Sequence, residues 1–146
     1  GIKNFIELFN TIEIVAELSI AGENKKIEML KKNNINQLGY ISGEKSLIDI
    51  YDAHNIVILP SFTEAHPYVV DEALSRERPV IVFEEISYIK GKKYGIFVIK
   101  RNLKELESIT NFILANYGNI QIDIRKNNLP SRDKMIEDLK NIIYLN

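Results

Sequence analysis

Cysteine is absent from the 146 residues, which excludes disulfides, thiolate nucleophiles and cysteine-held zinc and fits a reducing cytosol. The two histidines, His54 and His66, are too few to build a metal centre by themselves. No stretch reaches the roughly 18 consecutive apolar residues that a membrane-spanning helix requires. An excess of one charge is lacking as well: 19 Lys and Arg stand against 20 Asp and Glu, for a formal charge of -1. That balance argues against a general affinity for nucleic acid or anionic membrane. Hairpin signals such as Asn-Gly are missing, so strands are not expected to follow one another through tight turns. Neither low-complexity tracts nor flexible linkers interrupt the chain. Gly1 shows neither an initiator methionine nor a signal-peptide pattern, and a helix-like pattern (Phe5, Ile6, Phe9) begins almost at once. Those two features predict a domain drawn from a longer protein.

What is present is 45% hydrophobic residues, enough for a core on both faces of a sheet in one domain spanning 1–146. Two rhythms alternate along it. Helical spacing over 2–10, 24–32, around Leu47, Ile48 and Tyr51, over 67–77, and from Leu103 to Ile113 is separated by strand-like stretches. They are the apolar run Val15 to Ala21, a short strand from Ile35 to Tyr40 ending near Gly39, and the continuous runs Asn55 to Leu59, Pro79 to Phe83 and Gly95 to Ile99; strands without alternation belong in a parallel sheet buried on both faces. Single helices between such strands require right-handed crossovers. The expected fold class is therefore α/β, a doubly wound parallel, Rossmann-like sheet. Ile120, Ile122 and Ile124 alternate, which suits either a short strand or a continued helix. A closing amphipathic helix is expected over 131–145, carrying Met135, Ile136, Leu139, Ile142 and Ile143 on one face.

Ligands in doubly wound sheets sit beyond the carboxyl ends of the strands, and the densest polar cluster follows the third run. Residues 59–74 read Leu-Pro-Ser-Phe-Thr-Glu-Ala-His-Pro-Tyr-Val-Val-Asp-Glu-Ala-Leu. Pro67 suits the first helical position, with His66 as the cap and the Tyr68 and Val69 N–H groups facing the cleft. No acid is expected in that first turn, which would leave the positive end of the helix open to an outside anion such as a phosphate. Glu72 lies further along the helix and Glu64 in the loop before it. A carboxylate at Glu72 can accept two hydroxyl hydrogen bonds from one ribose, each worth about 1.5–3 kcal/mol when shielded from water. Both acids are equally compatible with a solvated surface, and spacing leaves that choice open. Lys90, Lys92 and Lys93 read as solvated loop charges, and His54 as a local cap at a helix end. Ser61 lacks the Gly-x-Ser-x-Gly turn of a nucleophilic serine.

Two glutamates eight positions apart, after Leu-Pro-Ser and before Ala-Leu and Pro-Val-Ile, resemble the Glu-x7-Glu signature of retaining GT-B glycosyltransferases. That sucrose-synthase-like group (glycosyl transferases group 1) includes many bacterial mannosyl- and glucosyltransferases. Gly1-Ile2, Ile20-Ala21-Gly22, Leu38-Gly39-Tyr40, Tyr51-Asp52-Ala53 and Tyr94-Gly95-Ile96-Phe97-Val98 resemble further segments of the same group in the same order, over about residues 1–115. The ordered series is more specific than any one motif.

The resemblance implies a C-terminal donor-binding domain whose N-terminal, acceptor-binding partner is missing from this chain. It implies that Glu72 binds the ribose hydroxyls, that Glu64 approaches the donor sugar as the catalytic-site acid, and that Ala65, His66, Pro67 and Tyr68 face sugar and diphosphate. Gly22, Gly39 and Tyr40 would shape the pocket for nucleotide and base. Where that group commonly carries Gly-Phe-Gly after the first glutamate, Ala65-His66-Pro67 stands here, which alters the backbone approach to the sugar. The group's diphosphate-clamping Arg and Lys fall before Gly1. The expected ligand is a nucleotide diphosphate sugar, as substrate, with no metal and no further cofactor. The expected location is cytoplasmic, with the rest of the protein supplying any peripheral contact with the membrane. Two other readings remain, a nucleotide-sugar epimerase of the same architecture and a non-catalytic flavodoxin-like interaction module in which both glutamates are surface charges.

Overall fold

Unbroken apolar runs become parallel strands because each side chain then has a covered face to enter. A computed structural model describes residues 1–13, 16–22, 34–65 and 67–129. Within them lie five strands, β1 (Leu18–Ala21), β2 (Ile35–Gly39), β3 (Val57–Leu59), β4 (Val80–Phe83) and β5 (Ile96–Ile99). Five helices accompany them: α1 (Ile2–Thr11), α2 (Glu44–Ala53), α3 (Tyr68–Ser75), α4 (Leu103–Ala115) and α5 (Tyr117–Ile124). A 3₁₀ segment, Glu84–Lys90, follows β4 directly and is kinked at Ile86. The helix expected over 24–32 and the closing helix over 131–145 lie outside the described residues.

All strand pairs are parallel, as crossover connections demand. The described strands form two ladders, β1-β2 and β3-β4-β5, where the apolar runs predict one doubly wound sheet. The apolar side chains of both ladders still merge in one core, from Ile20 and Ile35 to Val80, Ile99 and Ile113. β4 lies at its centre: all four of its side chains are fully buried, and because successive residues point to opposite faces, both faces of the sheet are covered there. Phe83 meets Phe5 of α1 with ring centroids 6.3 Å apart.

The alternation at 120–124 resolves as helix α5, with Ile120 and Ile124 buried one turn apart and Ile122 exposed between them. His54 ends α2 as the sequence predicts, its ring Nδ1 2.7 Å from the Ile50 carbonyl oxygen and its backbone N–H donating to Tyr51. Before β5, Gly95 takes a left-handed φ of 83°, and a Cβ there would stand 2.3 Å from the Ile124 side chain and 3.2 Å from Leu74.

An ion-pair lattice joins the elements at the amino ends of β3 and β4. Arg76 grips Asp52 through two bonds of 2.9 and 2.5 Å, and Arg125 grips Glu77 through two of 2.7 and 2.9 Å. Arg78 donates to the Tyr117 hydroxyl, which in turn donates to the Asn55 carbonyl. These bonds hold Asp52 and Glu77 below the usual carboxylate range, first through the hydrogen bonds from Arg76 and Arg125.

Two outcomes follow for stability. Gly95→Ala combines a left-handed backbone with overpacking against Ile124, and urea unfolding should show a loss of about 2 kcal/mol or more. Asp52 and Glu77 have folded-state pKa values below the unfolded value of about 4, so their contribution is present above that pH and lost as pH falls through the folded values. Stability should therefore drop from about pH 5 to about pH 3, and the double variant Asp52→Asn, Glu77→Gln should flatten that drop. Equal slopes for the two proteins would show that the lattice has no part in it.

Candidate functional site

At the carboxyl end of β3 the chain leaves the sheet at Pro60 and travels through Ser61, Phe62 and Thr63 to Glu64 before α3. A carboxylate in such a loop needs local donors to hold it. The Ser61 hydroxyl donates to Glu64 Oε1 at 2.6 Å. The Glu64 backbone is fastened from the 3₁₀ segment after β4: the Tyr88 hydroxyl accepts from the Glu64 N–H at 3.3 Å and donates to the Glu64 carbonyl. Glu64 is half-buried, with both side chain and backbone oriented.

Glu72 is held from another direction. Tyr51 of α2, buried among apolar side chains, donates its hydroxyl to Glu72 Oε2 at 2.8 Å. Burial first, and then the hydrogen bond and charge of Glu72, keep that hydroxyl protonated well above the ordinary tyrosine range. The arrangement suits a carboxylate that must present its acceptor oxygens in one fixed orientation. No hydrogen bond joins Glu64 to Glu72, and each belongs to its own set of partners.

The tip of α3 differs from the expectation in two respects. Pro67 has an extended ψ of 96° and acts as the cap, with the Val70 N–H closing on its carbonyl at 3.0 Å. The helix thus starts at Tyr68, one residue later than predicted, because the cap's carbonyl rather than its φ sets the first helical bond. Asp71 then falls in the first turn, largely buried, and forms an ion pair with Lys93. The helix terminus is thereby not free of acid, and Lys93 is a paired group rather than a solvated loop charge. Ala65 and Tyr68 are exposed beside it, while His66 lies outside the described residues.

Gly22 and Gly39 meet at the carboxyl ends of β1 and β2, where the Gly22 N–H donates to the Gly39 carbonyl at 2.8 Å. Both have left-handed backbones, and Tyr40 beyond them is 70% exposed. They belong to the first ladder and the two glutamates to the second, with Tyr51 to Glu72 as a tie between α2 and α3. A cleft of about 290 Å³ is bounded by Asp52, Ser75, Arg76, Glu77, Arg78 and Gln121. Another of about 270 Å³ lies along β5 and α4, between Lys93, Phe97, Phe112 and Ile120. Neither touches Glu64 or Glu72. Among the described residues no three His, Asp or Glu side chains gather as metal ligands, and no helix is long and apolar enough to cross a membrane.

Against known families, the model of the glycosyl transferases group 1 matches residues 1–116. The chain belongs to that family. The match covers β1 to β5 and every candidate site residue, and identifies a glycosyltransferase domain with glycosyl transfer as its function. No curated protein and no solved structure matches the chain.

The residues that orient the acids were less visible in the sequence than the acids themselves. Tyr51 lies on the apolar stripe of α2, and a buried tyrosine there signals a hydroxyl in need of a partner. Tyr88 carries no comparable local signal. Tyr51→Phe in this glycosyltransferase domain removes the donor while keeping the ring, and should cost about 1 kcal/mol in urea unfolding because Glu72 loses its partner. Unchanged stability would show that the Glu72 carboxylate is satisfied without Tyr51.

Proposed function

We propose that this chain is the donor-binding domain of a retaining, GT-B-type glycosyltransferase, holding a nucleotide diphosphate sugar for transfer to an acceptor carried by a second, N-terminal domain. One observation carries the reading: the family match spans both glutamates of the Glu-x7-Glu pattern, placed on the loop after β3 and on α3. The orientation of each acid supports it. Glu72, directed by Tyr51, is the group for the ribose hydroxyls, and Glu64, directed by Ser61 and Tyr88, is the group nearest the donor sugar. Ala65 to Tyr68 supply the backbone beside sugar and diphosphate, and the Gly22, Gly39 and Tyr40 ends border the nucleotide and base. Hydrogen bonds from ribose hydroxyls to an ionised carboxylate are charge-assisted, and so stronger than those between neutral groups.

Calorimetric titration with UDP, GDP, ADP and their sugars tests the reading on the chain itself. Saturable heat is expected for one nucleotide series, and Glu72→Ala should weaken it about 10- to 150-fold, the equivalent of about 1.5–3 kcal/mol. Absence of binding by every nucleotide, or full affinity in Glu72→Ala, would overturn the assignment.

A further inference from the structure

The loop bearing Glu64 is gripped by a side chain from the opposite side of the ladder. Arg101 follows β5, and its side chain is only 14% exposed. Its Nη1 and Nη2 donate to the carbonyls of Pro60 and Ser61, each at 3.3 Å. Its Nε donates to Glu85 Oε1 at 3.2 Å, so the guanidinium reaches the 3₁₀ segment as well. The plane is packed between two rings: its carbon lies 3.9 Å from the centroid of Phe83 and 4.3 Å from that of Phe62. Phe83 ends β4 and is fully buried, whereas Phe62 is a loop residue and 44% exposed.

This arrangement has a chemical specificity. Two successive backbone carbonyls, a carboxylate and two aromatic faces are met by one flat, five-donor fork, and no other side chain can meet all of them. Lysine would keep the charge but reach one acceptor at a time and lose the stacking. The contacts also converge on the acid. Arg101 holds the Ser61 carbonyl, and the Ser61 hydroxyl donates to Glu64 Oε1. Tyr88, in the same 3₁₀ segment as Glu85, holds the Glu64 backbone. The loop is thus held at Pro60, Ser61, Phe62 and Glu64.

We propose that Arg101 is a positioning residue: by binding the Pro60 and Ser61 carbonyls and stacking on Phe62, it orients Ser61 and through it the Glu64 carboxylate. The inference rests on the reading of Glu64 as the acid nearest the donor sugar, but its test does not require donor to bind. Arg101→Lys keeps charge and length, and serves where Arg101→Ala fails to fold. Amide exchange and chemical shifts of the unliganded chain form the first arm. In Arg101→Lys the Glu64 amide should exchange about five- to thirtyfold faster, and the Ser61 to Glu64 resonances should move, while amides of β4 and α4 keep their protection. Unchanged exchange at Glu64, or acceleration spread evenly over the chain, overturns the proposal. Donor titration is the second arm. Affinity for the nucleotide sugar should fall more than affinity for the bare nucleoside diphosphate, since Glu64 serves the sugar end. Equal losses for both ligands, or a loss with the loop unchanged, also count against Arg101. If the unaltered chain binds no nucleotide, the donor assignment fails, and the first arm alone decides whether Arg101 orients the loop.

Discussion

The complete burial of β4 is the constraint from which the rest of the domain follows. Val80, Ile81, Val82 and Phe83 alternate between faces and are all sealed from water, so helices must cover both faces and a strand must occupy each edge. Parallel β3 and β5 fill those edges, and parallel neighbours can be reached only by crossovers. That topology brings the exits of β3, β4 and β5 to one end of the ladder, where the Pro60 to Glu64 loop, the 3₁₀ segment and Arg101 converge. Phe83 serves both regions: it packs on Phe5 in the core and forms one of the plates against which Arg101 lies. The core and the candidate site therefore share a side chain.

Polar groups divide their work between two patterns of pairing. At the amino ends of β3 and β4, Arg76 and Arg78 share Asp52 while Arg125 pairs with Glu77, an arrangement that fastens α2, α3 and α5. Elsewhere two acids are instead paired with hydroxyl donors, Ser61 for Glu64 in the loop after β3 and Tyr51 for Glu72 on α3. A hydroxyl orients a carboxylate without neutralising it, whereas an ion pair does both. Acids fixed in direction by hydroxyl donors, with Glu64 in the loop at the end of the sheet where ligands gather, accord with membership in a family of glycosyl transferases. Asp71 follows the other pattern, since Lys93 balances it at the start of α3.

Much of this was legible in the order of residues. Continuous apolar runs mark β3, β4 and β5, shorter apolar stretches mark β1 and β2, the three- and four-residue spacing marks the helices, and the series of short motifs from Gly1 to Val98 points to the family. His54 was readable as a cap because capping is a local act. The start of α3 was misplaced by a residue, since the choice between Pro67 as cap and Pro67 as first helical residue depends on its ψ. The piece from Ile120 to Ile124 shows the limit of periodicity: alternation fits a strand, and burial of Ile120 and Ile124 with Ile122 outside is what makes it a helix.

Sequence alone determined the α/β class, the kinds of most elements, and that Glu64 lies in a loop and Glu72 on the helix after it, because those properties depend on residues within a turn or two of one another. Tertiary structure alone decided what holds the acids. Tyr51 reaches Glu72 across 21 positions, Tyr88 reaches Glu64 across 24, and Arg101 reaches Ser61 across 40. Such partners meet only after the crossovers have folded β3, β4 and β5 side by side, and no local pattern of apolar and polar residues encodes that meeting.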